Sequence, residues 1–148
     1  MWNLNNYMSL SPADPVCTFA SDIGLNCYSR GMGALGIPGD MSSVSRFVRA
    51  AFIRANSPNF GTEESSVSQF FHMLSSVSMT KGSVLVDGKV DYTIYSCCCN
   101  TDRGIYYYTT YDNSHITAVD MHREDLDSTE PAVYPLIIQP QIMLQNDK

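Results

Sequence analysis

KVDYTIYSCCCNTDRGIYYYTTYDNSHITAVDM, residues 89–121, alternates along its strands, but not in the manner of a sheet with one wet face. In its first run Tyr92, Ile94 and Cys98 share one strand face, while Thr93, Tyr95, Cys97 and Cys99 share the other. In its second, Ile105, Tyr107 and Tyr111 oppose Tyr106 and Tyr108. A half-solvated sheet sets apolar residues against charged ones, so these strands require cover on both faces. Turn signals recur at short intervals: Asp87-Gly88 just ahead, then NTDRG, then Asp112-Asn113. That spacing predicts an antiparallel meander, SVLV and KVDYTIYSCCC forming its first hairpin.

Upstream, the period changes from two to 3.6. Val44, Phe47, Val48, Ala51, Phe52 and Ala55 fall at i, i+3, i+4, i+7, i+8 and i+11, which predicts a helix from about Ser42 to Asn56. Asp40, Ser42 and Ser43 are N-cap candidates for it. A second helix, roughly Glu63 to Val77, buries Val67, Phe70, Phe71, Leu74 and Val77; Thr62 can cap it, and Glu63 and Glu64 suit the positive end of its dipole. Residues 9–22 read as irregular surface and Leu25–Tyr28 as a short strand. With no repeat, low-complexity tract or linker, residues 1–148 are expected to be one α+β domain, two helices packed on an antiparallel sheet.

With 44% hydrophobic residues the chain can build a core, and its net charge of −6 and pI near 4.8 exclude nucleic acid as a partner. No apolar run approaches the roughly 20 residues of a membrane span, and MWNLNNYM lacks the charge and apolar run of a signal peptide. The expected compartment is the cytoplasm. Five cysteines, three of them consecutive at 97–99, suit neither a disulfide framework nor zinc spacing; the expectation is reduced, buried small hydrophobes that are chemically inert.

Few motifs carry chemistry. GMGALG, residues 31–36, matches a dinucleotide fingerprint, but Pro38 and Gly39 forbid the helix that should follow, leaving a glycine-permitted turn. His72 reads as a structural helix residue, His122 lies in a charged run, and His115 has no partner at metal spacing; no metal and no cofactor is expected. No serine sits in G-x-S-x-G. Arg46 stands off the apolar stripe in the first turn of its helix, where the dipole opposes a cation. Either a polar or anionic partner meets it there, or it shares a solvated face with Arg49.

Three stretches together decide between these: GALGIPGDMSSVSRFVRAAF (33–52), SVSQFFHMLSSV (66–77) and YTIYSCCCNTDRGIYYYTTYDNSHITAVDMHREDLD (92–127). They closely resemble bile salt hydrolases of the choloylglycine hydrolase and penicillin V acylase family, over nearly the whole chain from NLNNYM to YPLI. The resemblance implies the C-terminal half of an αββα N-terminal nucleophile hydrolase sandwich, in which one face of a sheet meets helices and the other meets a second sheet. It implies cleavage of the amide of glycine- or taurine-conjugated bile acids by an N-terminal cysteine whose α-amino group is the base.

Matched residue by residue, the resemblance assigns a catalytic role here to Arg46 alone, in SSVSRF. Met1-Trp2 supplies no nucleophile, Cys17 and Cys27 do not match its context, and Asn3, Asn5 and Asn6 do not match the T-N-x-P oxyanion motif. The isolated chain is therefore expected to be inactive, with conjugated bile acids as small-molecule substrates only in a completed enzyme. Expected partners are the missing N-terminal half or a full-length homologue, and self-association is expected otherwise. The alternatives are a penicillin V acylase-type amidase fragment, or a non-enzymatic remnant or interaction module.

Overall fold

A computed structural model describes residues 2–59 and 61–146. The elements are α1 (Trp2–Asn5), α2 (Ser43–Asn56), α3 (Glu63–Ser75), β1 (Val84–Val86), β2 (Lys89–Asp91), β3 (Tyr95–Asn100), β4 (Ile105–Thr110) and β5 (Thr117–Asp120), with 3-10 turns at Met32–Ala34 and Met121–Arg123. They divide into two compact units, residues 1–59 and 60–148.

In the first unit, α2 packs with α1, and the glycine-rich segment forms a turn rather than a nucleotide loop. Gly33 is required there: a Cβ on it would lie 1.9 Å from the Ala13 carbonyl oxygen, and its own carbonyl accepts from the Ser11 N–H at 2.9 Å. The phase of α2 differs from the expected stripe. Ser45 and Val48 are buried, while Val44 and Phe47 stay about half exposed, at 48% and 51%. Polar contacts of the preceding loop draw the Ser45 side inward, which turns Val44 and Phe47 toward the edge of the buried face.

The second unit holds the strands. Asp87 and Gly88 adopt φ of 51° and 74°, the left-handed pair of a two-residue hairpin turn, and β1 pairs β2 from Val84 opposite Asp91 to Val86 opposite Lys89. The expected run from Lys89 to Cys99 is broken at 92–94. There Thr93 turns aside to exchange bonds with Met79, its N–H donating to the Met79 carbonyl at 3.1 Å and its Oγ1 accepting from the Met79 N–H at 2.8 Å. The result is a two-stranded hairpin and a separate antiparallel sheet, β3-β4-β5.

Register puts Cys98 opposite Tyr107, Asn100 opposite Ile105 and Tyr107 opposite Ala118, so these share one face. Helix α3 covers that face. Thr62 caps α3 by accepting from the Ser65 N–H at 3.3 Å, and Glu63 then reaches the turn end of the β3–β4 hairpin. Its Oε1 accepts from Asn100 Nδ2 at 2.6 Å and from the Tyr107 hydroxyl at 2.8 Å, while Oε2 pairs with Arg103.

Cover of the opposite face is partial. Tyr108 and Thr110 are buried beneath the extended C-terminal segment, where Ile137 donates its N–H to the Tyr108 hydroxyl at 3.2 Å and accepts from Thr110 Oγ1 at 3.1 Å. Tyr95 and Tyr106 on that face remain exposed. Large apolar side chains stay exposed in both units, among them Val44 and Phe47 in the first and Leu85, Tyr95 and Ile138 in the second.

Candidate active site

The loop GIPGD, residues 36–40, enters α2 through a polar cage that its sequence dictates. Ser42 caps the helix, its side-chain oxygen accepting from the Ser45 N–H at 3.3 Å. One oxygen of Asp40 accepts from the Ser42 N–H at 2.9 Å, and the other accepts from the Ser45 hydroxyl at 2.5 Å. The Ser42 and Ser45 hydroxyls and the Ser42 N–H hold the Asp40 carboxyl down at about 2, so it is an anion at any physiological pH. It lies where the helix dipole favours negative charge.

Arg49 closes the same loop from the other side. Its Nη1 donates to the Pro38 carbonyl at 2.7 Å and to the Asp40 carbonyl at 2.8 Å. The reading of Arg49 as part of a solvated face is thereby corrected: the residue is half-buried, and carbonyls of an irregular loop, invisible to a periodicity argument, are what its guanidinium binds. Arg46, also half-buried, sits one turn earlier on α2, its backbone N–H donating to the Ser42 carbonyl at 3.0 Å. The structure therefore brings Arg46 onto a helix end that Asp40, Ser42, Ser45 and Arg49 hold in place. Sequence reasoning missed Asp40 and Ser45 as members of this cage; their spacing of five residues across a turn is the signal that could have found them.

The cysteines are all free thiols, but buried they are not: Cys17, Cys27 and Cys99 are exposed, and Cys97 and Cys98 half-buried. The N–H groups of Leu25 and Phe19 lower the Cys17 thiol, whereas burial pushes the Cys98 thiol up. His115 Nε2 lies 3.0 Å from the Gln141 carbonyl oxygen, and His122 is exposed beside Asp120. Among the described residues no three His, Cys, Asp or Glu side chains converge as a metal ion would require.

The architecture has close counterparts. A crystal structure of a conjugated bile acid hydrolase from Clostridium perfringens superposes with a TM-score of 0.81 at 34% identity, over 98% of this chain and 44% of that one. A penicillin V acylase from Agrobacterium tumefaciens shares the fold, with a TM-score of 0.56 at 22% identity over 68% of this chain and 32% of that one. The fold is that of the N-terminal nucleophile amide hydrolases, seen here over part of its length.

A bile salt hydrolase/transferase of Lactiplantibacillus plantarum is 54% identical over 147 residues, which is 99% of this chain and 45% of that protein. The description "linear amide C-N hydrolases, choloylglycine hydrolase family" matches residues 1–134. The chain belongs to the choloylglycine hydrolase family, and it spans less than half the length of the relatives it matches, corresponding to their C-terminal half. Among the described residues no helix is long and apolar enough to cross a membrane.

Proposed function

We propose that these residues supply the C-terminal half of an enzyme that cleaves the amide of glycine- or taurine-conjugated bile acids. The observation that carries this is the 54% identity to a bile salt hydrolase/transferase over 99% of the chain, a span that includes the loop and helix around Arg46. In this reading Arg46 is an active-site arginine. Its planar fork suits positioning a carboxylate or polar substrate group beside the attacking thiolate, and the caged helix end fixes that fork before substrate arrives. The thiol nucleophile and its amine base come from the family's N-terminal segment, outside these 148 residues, so the chain by itself is inactive. Five free thiols suit a reducing, cytoplasmic compartment.

The test is complementation. The chain is co-expressed with the N-terminal part of the Lactiplantibacillus plantarum relative, and glycine or taurine release from glycocholate and taurocholate is measured. Because loss of an attacking nucleophile costs on the order of 10⁶ in rate, the isolated chain is expected to stay at background and the complemented pair to hydrolyse both substrates. Hydrolysis by the isolated chain, or an inactive but folded complex, overturns the reading. Penicillin V as a parallel substrate separates this from an acylase role, which fold likeness at 22% identity supports only at the level of architecture.

The uncovered apolar surface supports a second proposal, that the isolated chain associates with itself or with a homologue. Val44, Phe47, Leu85, Tyr95 and Ile138 are each at least 48% exposed. Sedimentation at tens of micromolar is expected to show oligomers; a stable monomer that binds no apolar dye refutes it.

A further inference from the structure

Helix α3 runs along β3, its first residue at the hairpin turn and its C-terminal half over the far end of the strands. At that far end the helix and sheet leave a groove of about 320 Å³. Ser68 and His72 of α3 line it, with Ser96 and Thr109 from directly paired positions of β3 and β4, Ser114 from the β4–β5 turn, and Phe71 as an apolar wall. No carboxylate and no Lys or Arg side chain lines it. A second hollow of about 180 Å³ shares Ser96 and Thr109 and continues the hydroxyl lining.

The rim hydroxyls divide into two sets. Ser75 and Ser78 turn back onto their own helix, donating to the His72 carbonyl at 2.7 Å and the Leu74 carbonyl at 3.3 Å. Among the described residues, no hydrogen bond takes up the hydroxyls of Ser68, Ser96, Thr109 and Ser114 or the His72 imidazole. These groups face the groove and can either donate or accept.

That chemistry selects a ligand class. An anion calls for cations or converging N–H groups, and a metal ion calls for carboxylates; neither lines this groove. Rotatable neutral hydroxyls match a partner that itself both donates and accepts at several positions, while Phe71 offers a ring to its C–H face. The volume is at the small end of the range for ligand sites, roughly 300 to 1,000 Å³. We propose that this groove binds a small neutral polyol of monosaccharide size. The site lies wholly in residues 68–116, does not include Arg46, and does not depend on amide hydrolysis.

Saturation-transfer NMR on the 148-residue chain tests this, with glucose and myo-inositol as probes and glucose 6-phosphate and cyclohexanol as controls. Both neutral polyols are expected to receive saturation and the controls to receive far less. The paired substitution Ser96→Ala with Thr109→Val removes two hydroxyls at nearly constant shape and is expected to weaken binding at least tenfold with an unchanged circular dichroism spectrum. If that variant loses the spectrum, Ser68→Ala at an exposed helix position takes its place, with at least a threefold loss expected. No transfer to either polyol from folded protein, equal transfer to cyclohexanol, or undiminished binding by the variant overturns the proposal.

Discussion

The Tyr107 hydroxyl donates to Glu63 Oε1 at 2.8 Å across 44 residues of sequence, tying the first residue of α3 to the middle of β4. Tyr107, then Asn100 and Arg103, lower the Glu63 carboxyl below its ordinary 4.5, and the same bond to Glu63 raises the Tyr107 phenol. A carboxyl depressed in the fold stabilises above its unfolded value, and that stability is lost as pH falls through the folded value.

Glu63→Gln is therefore expected to lower the melting temperature at pH 7, by an amount that shrinks as pH falls and the native carboxylate takes up its proton. Tyr107→Phe should show the same pH pattern with a smaller loss. Thermal melts of the three proteins between pH 3 and 7 check this; parallel curves would mean that the ionised carboxylate is not what holds the helix.

The rotated phase of α2 makes a second test. Val48 is 1% exposed, so Val48→Ala is expected to cost about 2 kcal/mol by transfer and cavity formation, whereas Phe47→Ala at 51% exposure should stay within about 0.5 kcal/mol. Urea unfolding of both variants ranks them. The stripe read from the sequence makes both residues core; the structure does not.

Arg49→Ala leaves the Pro38 and Asp40 carbonyls without their charged donor and is expected to cost about 1–3 kcal/mol. Arg49→Lys should recover only part, since an ammonium lacks the fork. In the complemented enzyme Arg46→Ala is expected to cut turnover at least about a hundredfold, the scale of one lost transition-state contact. Melts and initial rates on the same four proteins separate loop-holding from chemistry; equal turnover losses at the two positions would remove that division.

Thiol labelling supplies the fourth. Cys17 is exposed and lowered, Cys98 half-buried and raised, so Cys17 is expected to alkylate at least about tenfold faster at neutral pH. Peptide mass spectrometry after a timed iodoacetamide pulse reads the ratio, and equal rates would contradict the environments described for the two thiols.

Local signals were legible where local forces decide. Ser42 and Thr62 cap the two helices as their side-chain chemistry requires, and Asp87-Gly88 makes the hairpin turn because only a left-handed pair matches strand twist. The break at Thr93, the rotation of α2 and the grip of Arg49 depend on partners that no period encodes: Met79, the Asp40 cage and the Pro38 carbonyl. The role proposed for Arg46 rests on likeness to a family. Spacing left it undecided between a solvated face and a site, since its first-turn position is merely unfavourable for a cation.

The bonds that Glu63 makes also order events in time. β1–β2 closes through two residues and β3–β4 through four, but the carboxylate meets Asn100 and Tyr107 only after loops of 37 and 44 residues have closed. Loop-closure entropy rises with length, so the hairpins are expected to form early and the tie from α3 to the sheet late. Interactions absent from the transition state slow unfolding rather than hasten folding. On that order Glu63 is expected to act as a latch on the finished unit, setting how long α3 stays docked, while the turns set how quickly the sheet appears.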